Sequence, residues 1–103
     1  MNAIRFNRDF IPFITAKRKT MTTRWRRYGN PGVVLEVQDQ DGIPAGLAIR
    51  INDVVQMTLG EVARRLYYQE GFGHRSEFVR AWSEIYGDFD GDVVVFVHEF
   101  EVV

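Results

Sequence analysis

Residues 93–103 read Val-Val-Val-Phe-Val-His-Glu-Phe-Glu-Val-Val, and no other stretch restricts the fold as much. Valine and phenylalanine crowd the turns of a helix but suit the pleated surface of a sheet. The run therefore predicts a closing strand. Because it is apolar almost throughout, it is expected to be buried on both faces for much of its length. Such a strand needs a sheet around it and a core against it. A chain of 103 residues, 46% hydrophobic and 26% charged, supplies one core and one domain over 1–103.

The rest of the chain reads as short elements joined by tight turns. Residues 3–6 suit a short strand. Asn7 or Asp9 can cap a helix that turns Phe10, Phe13 and Ile14 inward, with Pro12 tolerated in its first turn. Residues 19–26 are rich in threonine and predict a strand whose alternation sends Met21, Thr23 and Trp25 to the core. Thr20, Thr22, Arg24 and Arg26 then face a polar cleft. Asn30-Pro31-Gly32 marks a turn before a strand over 33–37, and residues 39–42 turn the chain into a long strand over about 45–57.

Thr58 and Glu61 have capping-box spacing ahead of a helix that carries Leu59, Val62, Ala63, Leu66 and Tyr67. Gly71 and Gly73 break it. Ser76 can cap another helix, with Phe78, Val79, Trp82, Ile85 and Tyr86 at helical spacing. The predicted class is α+β: a small mixed β-barrel of about five strands with two to three short helices plugging its ends.

Charge is unevenly placed. Residues 1–30 hold eight Lys/Arg and one acidic residue, whereas 31–103 hold five Lys/Arg and thirteen Asp/Glu. Lys17, Arg18, Lys19, Arg24, Arg26 and Arg27 form the densest block. It can attract phosphates by itself, since screening over roughly 8–10 Å isolates each patch. Alternatively, the basic half pairs with the acidic half inside the fold. Only two basic residues are lysines, at 17 and 19, and only a lysine amine can be driven to neutrality.

Cysteine is absent, and His74 and His98 lie far apart, so no metal site and no cofactor are expected. No apolar run approaches the ~18 residues of a membrane span. The first ten residues carry Arg5, Arg8 and Asp9 with no uninterrupted apolar stretch behind them, so no secretory leader and a cytoplasmic location are expected; a monomer is expected as well.

Residues 17–24, Lys-Arg-Lys-Thr-Met-Thr-Thr-Arg, resemble the signature of the ASCH family of PUA-like domains. They are most similar to the small bacterial N4-acetylcytidine amidohydrolases, which carry Arg-Lys-Thr-x-Thr-x-Arg here. The matching residues are Arg18, Lys19, Thr20, Thr22 and Arg24. Gln69-Glu70 resembles the family's Gln-Glu, and Val97-His98-Glu99-Phe100 resembles its Val-x-Glu-Phe. The resemblance implies a PUA-like barrel and hydrolysis of the acetyl amide on the cytosine exocyclic nitrogen, with Lys19, Thr22 and Glu70 as the catalytic set. Two positions depart from it: Lys17 stands where the family has Gly, and Val33 replaces the Asp that follows Gly32.

Amide hydrolysis needs a nucleophile, a base and a donor for the oxyanion. Thr22 offers the hydroxyl. Lys19 can be the base if burial and nearby cations lower its pKa from about 10.4. Arg18 and Arg24 are near enough in sequence to help, and Arg24 can also bind an acyl oxygen or a phosphate. Arg18 and Thr20 are further candidates for binding substrate. Tyr68, Phe72 and His74, around the Gly71–Gly73 loop, can bind or stack the base, and Lys17, Arg26 and Arg27 can track a phosphate backbone. Two other readings share this cleft: an RNA-binding module without chemistry, and a ribonuclease using Lys19 and Arg24 at the phosphate.

Overall fold

The computed structural model describes residues 2–103. It contains five strands and three α-helices: β1 (Ala3–Arg5), α1 (Ile11–Thr15), β2 (Met21–Arg24), β3 (Val34–Gln38), β4 (Pro44–Thr58), α2 (Leu59–Arg65), α3 (Arg75–Tyr86) and β5 (Val94–Val102). A single 3-10 turn, Arg8–Phe10, leads into α1, and the Asn7 side chain caps it by accepting the Asp9 N–H at 2.9 Å. Of the two candidate caps, Asn7 has the role. Pro12 sits in the first turn of α1, where its missing N–H costs nothing.

The strands form one mixed sheet in the order β1-β3-β4-β5-β2, parallel between β1 and β3 and antiparallel elsewhere. β4 organises it. Its 15 residues pair with β3 from Pro44 to Arg50 and with β5 from Ile49 to Thr58, and a bulge lies between Ile51 and Asp53. Bulges sharpen twist and bend a sheet. The two edge strands share no backbone ladder, so the barrel is left open there. One side-chain bond spans the seam, from Arg24 Nη2 on β2 to the carbonyl of Arg5 on β1, at 2.6 Å.

Two apolar clusters fill the fold. Ile4, Phe6, Ile14, Leu35, Val37, Ile49, Ile51 and Phe100 pack under α1. Leu59, Val62, Ala63, Phe78, Trp82, Val95 and Val97 pack under α2 and α3. Thr58 caps α2 as its spacing predicts, accepting the Glu61 N–H at 3.2 Å.

The structure corrects several local expectations. β5 is buried on both faces only in its middle: Val95 and Val97 on one face and His98 and Phe100 on the other are buried, while Val94, Glu99, Glu101 and Val102 are exposed. The strand passes from one apolar cluster to the other, so its buried face changes along its length and its two ends reach solvent. Phe13 is 44% exposed while Ile14 is buried; Phe10 belongs to the 3-10 turn ahead of α1, so the three do not share one helical face. Trp25 lies beyond the end of β2, so strand alternation no longer directs it, and it is 48% exposed. α3 begins at Arg75, and His74 stands at its N-cap without a side-chain bond, so Ser76 is not the cap. Tyr67 falls past the end of α2.

Candidate functional site

The chain leaves α1 through a left-handed residue. Lys17 has φ 62°; its N–H bonds to the Ile14 carbonyl at 3.0 Å, and the Arg18 N–H reaches the Phe13 carbonyl at 2.9 Å. This is the Schellman pattern, in which the residue after the C-cap is usually glycine. It reverses the backbone so that Lys19 enters the fold before β2 begins. Strand alternation therefore does not govern the direction of Lys19, and Lys19 and Thr22, three residues apart, line the same cavity.

Glu70 comes from the other half of the chain. The loop after α2 is tied to β2 and its approach: the Thr20 and Met21 N–H groups donate to the Gln69 carbonyl at 2.9 and 3.1 Å. Arg18 donates to the carbonyls of Tyr68 and Phe72, and its guanidinium lies 3.4 Å over the Tyr68 ring. Gly71, at φ 106°, packs against the Lys19 stem, with a virtual Cβ 3.5 Å from the Lys19 Cβ.

Lys19 and Glu70 meet inside this framework, exposed by only 4% and 3%. Lys19 Nζ donates to the Glu70 carbonyl at 2.6 Å and lies 3.6 Å from its Oε1. Oε2 accepts the Thr23 hydroxyl at 3.0 Å. Burial pushes the Lys19 ammonium below its ordinary pKa; the Glu70 charge opposes this, and the Arg24 charge adds to it. Next to them Arg24 Nε donates to Thr22 Oγ1 at 3.0 Å, and its guanidinium lies 4.9 Å over the Phe6 ring.

His98, fully buried on β5 opposite Thr22, fixes the backbone here. Its Nε2 accepts the Tyr28 N–H at 3.0 Å, so Nδ1 carries the proton and donates to the Thr22 carbonyl at 3.3 Å. Burial lowers its pKa, as do the Arg24 and Arg27 charges, while the backbone bonds at Thr22 and Phe96 partly offset them.

Lys19, Thr22, Arg24 and Glu70 line one cavity of about 360 Å³. Its polar side holds Lys19, Thr22, Thr23, Arg24 and Glu70 together with Arg5, Asn7 and Gln40. The opposite wall is aromatic. Phe10 packs edge-on to Phe72 at 5.4 Å and Phe72 to Phe78 at 5.7 Å, and the row continues through Trp82 to Tyr86. That size and mixture suit one ring-bearing ligand.

The structure thus brings Lys19, Thr22, Glu70, Arg24 and Phe72 together. It leaves Arg18, Thr20, Tyr68 and His74 outside the cavity: Arg18 and Tyr68 clamp the loop, Thr20 lines a smaller pocket of about 150 Å³ behind Lys19, and His74 is exposed. Lys17, Arg26 and Arg27 are exposed and have no carboxylate partner among the described residues. Thr23, assigned to the core by alternation, is a site residue that sequence reasoning missed, as are Arg5, Asn7 and Gln40. β2 is an edge strand, and the cavity wraps its free side, so neighbouring threonines both reach it. The adjacent Thr22-Thr23 pair was the available signal.

No family model matches the sequence, and no curated protein does. Solved structures do match. Protein EF3133 from Enterococcus faecalis V583, of family DUF984, superposes with a TM-score of 0.75 at 21% identity, covering 100% of this chain and 80% of that one. The ASCH domain from Lactobacillus crispatus gives 0.63 at 19% identity, over 88% of this chain and 68% of that one. The ASCH protein from Zymomonas mobilis gives 0.67 at 15% identity, over 96% and 67%. At these identities the likeness is one of fold: this chain has the PUA-like α+β fold of the ASCH domains.

Proposed function

We propose that this chain is an amidohydrolase that removes the acyl group from N4-acetylcytidine or a related N4-acylated cytosine nucleoside. The observation that carries the reading is a lysine amine, buried and biased toward neutrality, beside a glutamate in a cavity with an aromatic wall. A passive binder has no need of such an amine, whereas general-base chemistry near neutral pH requires one.

In this reading Thr22 Oγ1 attacks the acyl carbon, and the Arg24 Nε–H directed at that oxygen favours its deprotonated form. Lys19 takes the hydroxyl proton and returns it to the cytosine N4 as the C–N bond breaks. The Arg24 guanidinium stabilises the oxyanion between these steps. Water, deprotonated by the same amine, then releases the acid from the Thr22 ester. Glu70 holds Lys19, Thr23 holds Glu70, and Phe10 and Phe72 flank the base. One copy of the chain carries every group, so a monomer suffices, without metal or cofactor.

Lys17, Arg26 and Arg27, exposed and without a carboxylate partner among the described residues, favour a second reading, an RNA-binding module in which ribonuclease chemistry would use Lys19 and Arg24 at the phosphate. Incubation with N4-acetylcytidine, followed for cytidine and acetate, separates the two. The first reading predicts both products in equal amounts. Inertness toward every N4-acylated cytosine nucleoside would leave the RNA module.

A further inference from the structure

The polar rim of the cavity holds charges that amide hydrolysis does not use. Arg5 on β1 lines it with no ion-pair partner among the described residues. Its Nη2 lies 2.9 Å from where a Cβ on Gly42 would stand, so the glycine lets the guanidinium lie flat on the turn between β3 and β4. Arg24, which the hydrolysis uses, is tied to the Arg5 carbonyl and so sets this rim beside the reacting groups.

Two carboxamides complete the rim, and both are oriented by the backbone. Asn7 Oδ1 accepts the Asp9 N–H at 2.9 Å, and Gln40 Oε1 accepts the Arg8 N–H at 2.8 Å. With the oxygens engaged, each presents its NH₂, a pure donor. The nearby carboxylates of Asp39 and Asp41 are directed at Arg8, at 3.0 and 3.2 Å, and line no part of the cavity. Glu70 is the one carboxylate lining it among the described residues, and Lys19 faces it. Three side chains at this rim, Arg5, Asn7 and Gln40, therefore have only donors left for a ligand.

We propose that Arg5, with Asn7 and Gln40, forms a phosphate subsite, so that the cavity takes a nucleotide rather than a free nucleoside. A phosphate is acceptor-only and anionic, and a fork of guanidinium and amide donors matches it. This rests on the cytosine reading above for the rest of the ligand. The phosphate can be the 5′ end of a mononucleotide or the internucleotide link of a short chain.

The test is calorimetric titration of the full chain with cytidine, cytidine 5′-monophosphate, cytidylyl-cytidine and inorganic phosphate, none of which requires turnover. The unmutated protein should bind the monophosphate roughly 10-fold or more tighter than cytidine at low salt, as charge-assisted bonds would give. Arg5→Gln, which keeps the backbone carbonyl that Arg24 uses, should bring that ratio close to one. A gain with cytidylyl-cytidine but not with the monophosphate would assign the rim to a diester within a chain.

Equal affinity for cytidine and both phosphorylated ligands would overturn the subsite, as would a preference that survives Arg5→Gln. Arg5-dependent binding of inorganic phosphate by a protein inert on N4-acetylcytidine would uphold the subsite and reject the amidohydrolase. Hydrolysis with no phosphate preference would do the reverse.

Discussion

Replacing Lys17 with glycine should stabilise the protein, although lysine stands at the entrance to the basic block. Its φ of 62° is forced by the Schellman bonds from Lys17 and Arg18 to Ile14 and Phe13. An L-residue in this conformation costs about 1–2 kcal/mol, because Cβ crowds the following carbonyl. Glycine removes that cost but loses about 0.5–1 kcal/mol through the greater freedom of its unfolded chain. The lysine side chain is exposed and forms no ion pair among the described residues, so little else is lost. The balance is a gain of about 0.5–1 kcal/mol, read as a rise of ~2–8 °C in Tm for a domain of this size. Urea unfolding of Lys17→Gly and Lys17→Ala is the assay. Glycine alone should raise the midpoint, with the slope unchanged. An equal gain in Lys17→Ala would place the effect in the lost charge, and a loss in Lys17→Gly would refute the strain argument.

Three further outcomes follow from the site. Thr22→Ala should lower hydrolysis by about 10²–10⁴-fold, whereas Thr23→Ala, which only loosens Glu70, should cost about tenfold; steady-state rates reversed between the two would make Thr23 the nucleophile. His98 has a lowered pKa in the fold, so the unfolded chain takes up protons first. Stability should therefore be fully present above the unfolded value of about 6.5 and fall as pH drops below it, an effect that urea unfolding at pH 7.5, 6 and 5 should show in the native protein but much less in His98→Leu. Any RNA affinity should fall steeply between 50 and 200 mM salt, as for ~6 or more phosphate contacts, and weaken in Arg26→Ala with Arg27→Ala; binding that ignores both would remove the polyanion partner.

The elements were largely legible because each is marked by local chemistry. Valine runs, the Asn7 and Thr58 caps and the Gly71–Gly73 break all act within a few residues of themselves. The meeting of Lys19 with Glu70 was reachable only through the resemblance, since 51 residues separate them and no periodicity links them. Arg18 shows why composition misleads: its charge is used on two carbonyls and a tyrosine ring, outside the cavity. Asn7, Gln40 and Arg5 were illegible as a group, because the parallel pairing of β1 with β3 and the turn after it bring them together. The glycine expected at position 17 acquires a physical meaning here, as the residue that suits a left-handed helix end.

The central claim is that the buried Lys19 amine takes and returns a proton during cleavage of an N4-acyl amide. The most direct measurement is kcat/KM of Lys19→Arg on N4-acetylcytidine, beside the unmutated protein, with circular dichroism to establish that the variant is folded. Arginine keeps the positive charge but gives up no proton near neutral pH. The account predicts a loss of about 10²-fold or more. Activity retained in folded Lys19→Arg would contradict it and leave Lys19 as a residue that only binds.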